Sequence, residues 1–208
     1  MTNLGLKTLK LFILFTKNTA LVVNKPYIAF RKIAADSQYG QSVFILLFAV
    51  SYFAFATLIR IGLKNPYLLT LEFNRLIFFA GVGFLLSIAL LYSVGRLFGG
   101  RGTLKSLYLT WSYTLIPTIL WFFMTSLIFI FFPPPRSLSF PGKLLSIIFI
   151  TLSILLLLWK IILYYLTLRF SHKLDLFRII GVSIVLFPLF IIYGIIMYRI
   201  GIFRIPFI

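Results

Sequence analysis

The chain has 208 residues, 62% of them hydrophobic and 11% charged, with a mean hydropathy of +1.10. A soluble domain is nearer half apolar and about a quarter charged, so lipid has to solvate much of this surface. Twenty Lys and Arg stand against three acidic residues and no cysteine. The basic residues sit in small groups between apolar runs, which is not the clustered face of a nucleic-acid binder. The missing thiols exclude disulfides and thiolate metal sites.

Residues 1–40 read as a first unit. The apolar run from Leu11 to Phe15 is too short for a signal peptide, and no small-residue cleavage site follows. Lys7, Lys10 and Lys17 would each cost about 2.5–3.5 kcal/mol near a bilayer centre, so the segment does not span. On a helical wheel these lysines share one face, opposite Leu9, Phe12 and Phe15, with Leu14 falling among them. That pattern predicts a basic amphipathic helix in the membrane interface, in contact with anionic lipid. Pro26 interrupts it, and a second short amphipathic piece is expected over 27–35.

Residues 41–208 read as a second unit with five spans, at 41–59, 76–95, 107–132, 144–168 and 179–198. Each reaches the ~20 residues that cross ~30 Å of hydrocarbon. Four carry no charge. The fourth carries Lys160, close enough to its end to snorkel to the headgroups. The third has surplus length, to be absorbed by tilt or by extension beyond the membrane. Pro133-Pro134-Pro135 ends the third span, and Pro141-Gly142 marks a turn before the fourth.

An inside N-terminus places thirteen cations inside: Lys7, Lys10, Lys17, Lys25, Arg31, Lys32, Arg96, Arg101, Lys105, Lys160, Arg169, Lys173 and Arg178. Seven remain outside: Arg60, Lys64, Arg75, Arg136, Lys143, Arg199 and Arg204. The positive-inside rule therefore predicts N-in and C-out.

Catalysis needs titratable groups that converge, and few are present. The one histidine, His172, and the carboxylates Asp36, Glu72 and Asp175 all fall outside the apolar runs. His172 and Asp175 lack further ligands for a metal, and the sequence places them in a solvated polar loop. Gly99 to Ser106 lacks the glycine that a phosphate loop has before its lysine, since Leu104 stands there. No enzyme activity, cofactor or metal is expected. Pro117 frees the carbonyl of Tyr113 and Pro188 that of Ile184, which predicts kinks in the third and fifth spans.

The sequence from Gly99 to Pro117, GGRGTLKSLYLTWSYTLIP, joins a glycine-rich basic turn to an apolar run with an aromatic-polar patch. It resembles the Yip domain family, the Ypt/Rab-interacting membrane proteins and their prokaryotic relatives. The resemblance rests on Gly99, Gly100 and Gly102, then on Tyr113, Leu115 and Pro117 of a Gly-Tyr-Ser-Leu-x-Pro-like signature. Ser112 and Thr114 depart from that signature. Asp36-Ser37-Gln38-Tyr39-Gly40-Gln41 loosely echoes the Asp-Leu-Tyr-Gly-Pro motif of the eukaryotic members, with an extra residue and no proline. The resemblance implies an all-α integral membrane protein of prokaryotic type in the plasma membrane. It also implies that the motif residues are structural.

Two functions follow from these readings. The first is a non-enzymatic membrane-organising or partner-binding scaffold, with a membrane protein or a second copy as partner. The second is a transporter or permease component for a small molecule or lipid. A solvent-lined cavity beside Tyr113 and Pro117 would favour transport, and a filled core would favour the scaffold.

Overall fold

The computed structural model describes residues 2–36, 38–62, 65–132 and 140–202. Their regular structure is all helix: α1 (Thr2–Asn24), α2 (Pro26–Ala35), α3 (Gly40–Ile61), α4 (Pro66–Leu97), α5 (Leu104–Tyr113), α6 (Leu115–Phe131), α7 (Phe140–Ser171) and α8 (Leu176–Arg199). Five stretches are long and apolar enough to cross a membrane: Gly40–Ile59, Pro66–Leu97, Leu104–Ile128, Gly142–Ser171 and Leu176–Arg199.

Local chemistry explains most of the boundaries. Pro26 and Pro66 open α2 and α4, in first turns whose N–H groups have no helical acceptor to lose. Thr103 caps α5 by accepting from the Ser106 N–H at 3.2 Å. Pro141 and Gly142 do not form the expected turn. They lie in the first turn of α7, where proline is tolerated for the same reason. The predicted stop at Pro133-Pro134-Pro135 lies outside the described residues.

The third span is not one helix. It breaks at Thr114 into α5 and α6, and Pro117 falls in the first turn of α6. The break has two causes. Pro117 has no N–H to offer the Tyr113 carbonyl. The hydroxyls of Thr110, Ser112 and Thr114 each bond back to a carbonyl three or four residues earlier, a habit that bends helices. Pro188, by contrast, sits inside a continuous α8.

Helix neighbours close into a ring: α3 on α4, α4 on α8, α8 on α7, α7 on α6, and α6 on α3. Four of these five pairs carry a side-chain hydrogen bond that crosses between helices. Tyr193 on α8 donates to the Phe79 carbonyl of α4 at 3.1 Å. Tyr164 meets Ser183 at 3.1 Å between α7 and α8. The Trp121 indole donates to Ser153 at 2.9 Å between α6 and α7. Tyr52 meets Ser126 at 3.1 Å between α3 and α6. In hydrocarbon, where apolar contact alone does not favour association, such bonds and close packing hold helices together.

The core lies at one end, called basal here. It is formed by α1, α2, α5, the starts of α3 and α8, and the ends of α4 and α7. One cluster joins Ile88, Leu91, Val94, Leu107, Trp111, Tyr164, Leu168, Leu174, Ile179, Val182 and Leu186. A second joins Phe15, Val22, Ala29, Phe30, Ile33, Ile45, Leu109, Tyr113, Leu163 and Leu166. α5 contributes Leu107 and Trp111 to the first and Leu109 and Tyr113 to the second. Two i, i+4 pairs on opposite faces thus join both clusters.

α1 differs from the wheel reading. Phe15 turns into the bundle with Asn18 and Val22, while Leu9 and Phe12 stay exposed. Rings of Phe15 and Phe44 stack 5.6 Å apart and fasten α1 to α3. α2 forms as expected over 27–35. It does not lie free, since Ala29, Phe30 and Ile33 are fully buried and the helix packs on α5 and α7.

Candidate functional site

Two polar arrangements occupy the basal end. The first is built around Gln41, which opens the first span. Its Oε1 accepts from Asn18 Nδ2 on α1 at 2.7 Å and from the Tyr113 hydroxyl on α5 at 2.9 Å. Its Nε2 donates to Asp36 Oδ2 at 2.9 Å and to the Gln38 carbonyl at 3.0 Å. Asp36 Oδ1 accepts from the Gln38 N–H at 3.0 Å. The segment Asp36 to Gln41 therefore meets Tyr113, 72 residues along the chain from Gln41. Gln41, Asn18 and Tyr113 are fully buried. A buried amide must find partners or lose about 1–3 kcal/mol per orphaned group, so this node fixes α1, α3 and α5 against one another.

The second arrangement is the turn from α4 to α5. Gly99 N–H bonds to the Arg96 carbonyl at 3.0 Å and Gly100 N–H to the Gly95 carbonyl at 2.8 Å. This is a Schellman ending, and it needs the left-handed φ of +84° found at Gly99. Arg101 N–H then bonds to the His172 carbonyl at the end of α7, at 2.9 Å. A side chain on Gly102 would overlap the Ser171 carbonyl, so only glycine lets this turn touch α7. Ser106, one turn into α5, donates to the Ala34 carbonyl at the end of α2, at 2.9 Å.

The glycine turn encloses His172. The imidazole is fully buried, and a Cβ on Gly95 or Gly100 would come within 3.1 Å of its ring atoms. The expected solvated polar loop is therefore wrong at His172, while Asp175 is exposed at the start of α8. Neither ring nitrogen has a hydrogen-bond partner among the described residues. Burial, followed by the nearby Arg96 cation, pushes the imidazole pKa down to about 4, so it is held neutral. Tyr92 lies beside it with ring centroids 5.8 Å apart.

All six motif residues lie at or next to the basal core. Gly100, Gly102, Tyr113 and Pro117 are buried, and Leu115 is half-buried against the second cluster. Gly99 is exposed at the turn. Tyr113 joins the Gln41 node and the glycines enclose His172, so the motif serves two adjacent contacts. Sequence reasoning missed Asn18, Gln41 and His172. Gln41 had a pointer, as a polar residue at the head of an apolar run beside the Asp36 motif. His172 had none. Among the described residues no group of three or more His, Cys, Asp or Glu is placed to hold a metal.

Residues 20–198 match the Yip1 domain. The chain belongs to the Yip1 domain family. That family is non-enzymatic, and the chain is an integral, multi-pass membrane protein in contact with the bilayer. The match begins inside α1 and takes in α2, so the Yip1 domain here includes the segment packed on α5 and α7. No curated protein matches the chain, and no solved structure does.

Proposed function

We propose that this Yip1-domain protein is a membrane scaffold that organises lipid or a membrane-protein partner, and that it passes no substrate through its bundle. The observation that carries this reading is the packing at Tyr113. The ring is fully buried, its hydroxyl is bonded to Gln41, and Phe15, Phe30, Ile45, Leu109, Leu163 and Leu166 share its cluster. Close packing around Tyr113, one turn before Pro117, supports a bundle without a transport path there.

The charge bias of the linkers supports a cytoplasmic N-terminus and an outside C-terminus, and the likeness to prokaryotic Yip-domain relatives supports a plasma membrane of prokaryotic type. Residues 1–40 attach to the cytoplasmic face and the five spans anchor them. The faces of α1 support this. Asn18, Phe15 and Val22 point into the bundle, Lys7, Lys10 and Lys17 are exposed on one side, and Leu6, Leu9 and Ile13 are exposed on another. One face for protein, one for acyl chains and one for headgroups suit a helix lying in the interface. Gly99, Gly100, Gly102, Tyr113, Leu115 and Pro117 act structurally, by holding the basal core.

The chain has no cysteine, so a single one reports cleanly. Thr114 is fully buried beside Tyr113, and cysteine is close to it in volume. Thr114→Cys in sealed vesicles should resist a water-soluble maleimide from both sides, while Thr2→Cys reacts from one. Labelling at position 114 from either side would favour the transporter reading and overturn the scaffold.

A further inference from the structure

Lys7 and Lys10 extend from α1 into a cleft of about 550 Å³ that Leu11, Gln38, Tyr39 and Gly40 complete. Lys105, from the start of α5, lies 5.6 Å over the Tyr39 ring and brings a third cation to the same corner. None of these lysines has an ion-pair partner among the described residues, where Arg75 and Glu72 form the one ion pair. Asp36, next to this segment, makes no ion pair with them, and its two oxygens accept from the Gln38 N–H and the Gln41 amide. α3 begins here with no side chain capping its first N–H groups, so its positive pole adds to the same field. Close by, Leu6, Leu9 and Ile13 leave the same helix exposed and apolar. The cleft therefore sets uncompensated positive charge beside an apolar surface.

We propose that this cleft is a binding site for the phosphate-bearing headgroup of an anionic phospholipid, with Lys7, Lys10 and Lys105 on the phosphate and Tyr39 against the glycerol. The inference rests on the reading of α1 as an interfacial helix and adds a discrete site to it. Three ammonium groups around one phosphate give charge-assisted hydrogen bonds. An acyl chain would continue over Leu6 and Leu9. Free phosphate shares the headgroup chemistry but gains nothing from that apolar face.

The test is native mass spectrometry of the full-length protein, released from detergent carrying equal phosphatidylglycerol and phosphatidylcholine. The wild type should retain one phosphatidylglycerol. Lys7→Gln/Lys10→Gln should lower its occupancy about tenfold, as expected for ~1.4 kcal/mol of lost binding. Lys105→Gln should lower it less. Lys17→Gln/Lys25→Gln removes two charges from the same segment away from the cleft and should leave it unchanged. All of these lysines are exposed, so folding is not at risk. Equal loss in both double variants would mean general surface attraction and overturn the site. Wild type with no retained phosphatidylglycerol would overturn it as well. So would displacement of the lipid by millimolar inorganic phosphate, which would make free phosphate the ligand. None of these results changes the labelling expected at position 114, so the scaffold reading stands or falls separately.

Discussion

One carbonyl oxygen, Gln41 Oε1, accepts both a hydroxyl from α5 and an amide from α1. Removing either donor leaves the acceptor satisfied by the other. Tyr113→Phe should therefore cost about 1 kcal/mol, the net worth of one hydrogen bond. Gln41→Leu orphans Tyr113, Asn18 and one oxygen of Asp36 at once, so it should cost several times more. Denaturation in detergent should rank them so, and the double variant should cost less than the sum because the two share a bond. Equal costs for the single variants would dissolve the node as an account of stability. At His172 the sign of the pH effect follows from burial. The unfolded chain takes a proton near pH 6.5, the folded chain only near 4. Between those values the unfolded state binds more protons, so this group's contribution is full above about 6.5 and is lost as pH falls towards 4. His172→Leu removes two unpartnered nitrogens along with the titration. Its melting temperature should fall less than wild type's between pH 7 and 5. Matching slopes would show that His172 does not titrate in this way.

At the scale of elements, α5 is the unusual one. Its residues from Leu109 to Tyr113, and Thr114 after them, are all buried. A helix buried on every side belongs to a core. Its span has a mean hydropathy of 1.3, against 2.3 to 2.7 for the other four. The difference reflects the polar and aromatic residues of the span, among them Thr110, Ser112 and Thr114, which tolerate burial because each bonds to its own helix. The turn before α5 has no slack. A methyl on Gly102 meets backbone at Ser171, which cannot swing aside as a side chain tip would. Gly102→Ala should lower stability by about 1–3 kcal/mol, as overpacking usually does. An unchanged melting temperature would show that the turn can move off α7. The spans, Pro26 and the break near Pro117 were legible in the sequence because length, charge and proline act locally. The placement of Phe15, the burial of His172 and the Asn18–Gln41–Tyr113 contact were not. They depend on which helices become neighbours, and one sequence carries no direct record of that. α4 and α7 were read too short because Glu72, Arg75 and Lys143 looked like linker residues, whereas each lies inside a helix.

For the whole molecule, length sets the placement in the bilayer. α4 and α7 have 32 residues each, or ~48 Å at ~1.5 Å per residue, well beyond ~30 Å of hydrocarbon. α6 alone, with 17 residues, covers ~25 Å. The surplus of α7 runs past Lys160 to the basal end, beside α1, α2 and α5, whereas that of α4, with Glu72 and Arg75, lies at the opposite end. On the proposed topology, the packed basal layer with its Gln41 node lies against the cytoplasmic headgroups, with thinner ring-like packing across the membrane. Central to that topology is an odd number of crossings with that layer inside. Cysteines introduced singly at Thr2 and Ile208 in sealed, oriented vesicles test it most directly. Labelling should come from opposite faces, with position 2 on the cytoplasmic side. Labelling of both from the same face would mean an even number of crossings and would contradict it.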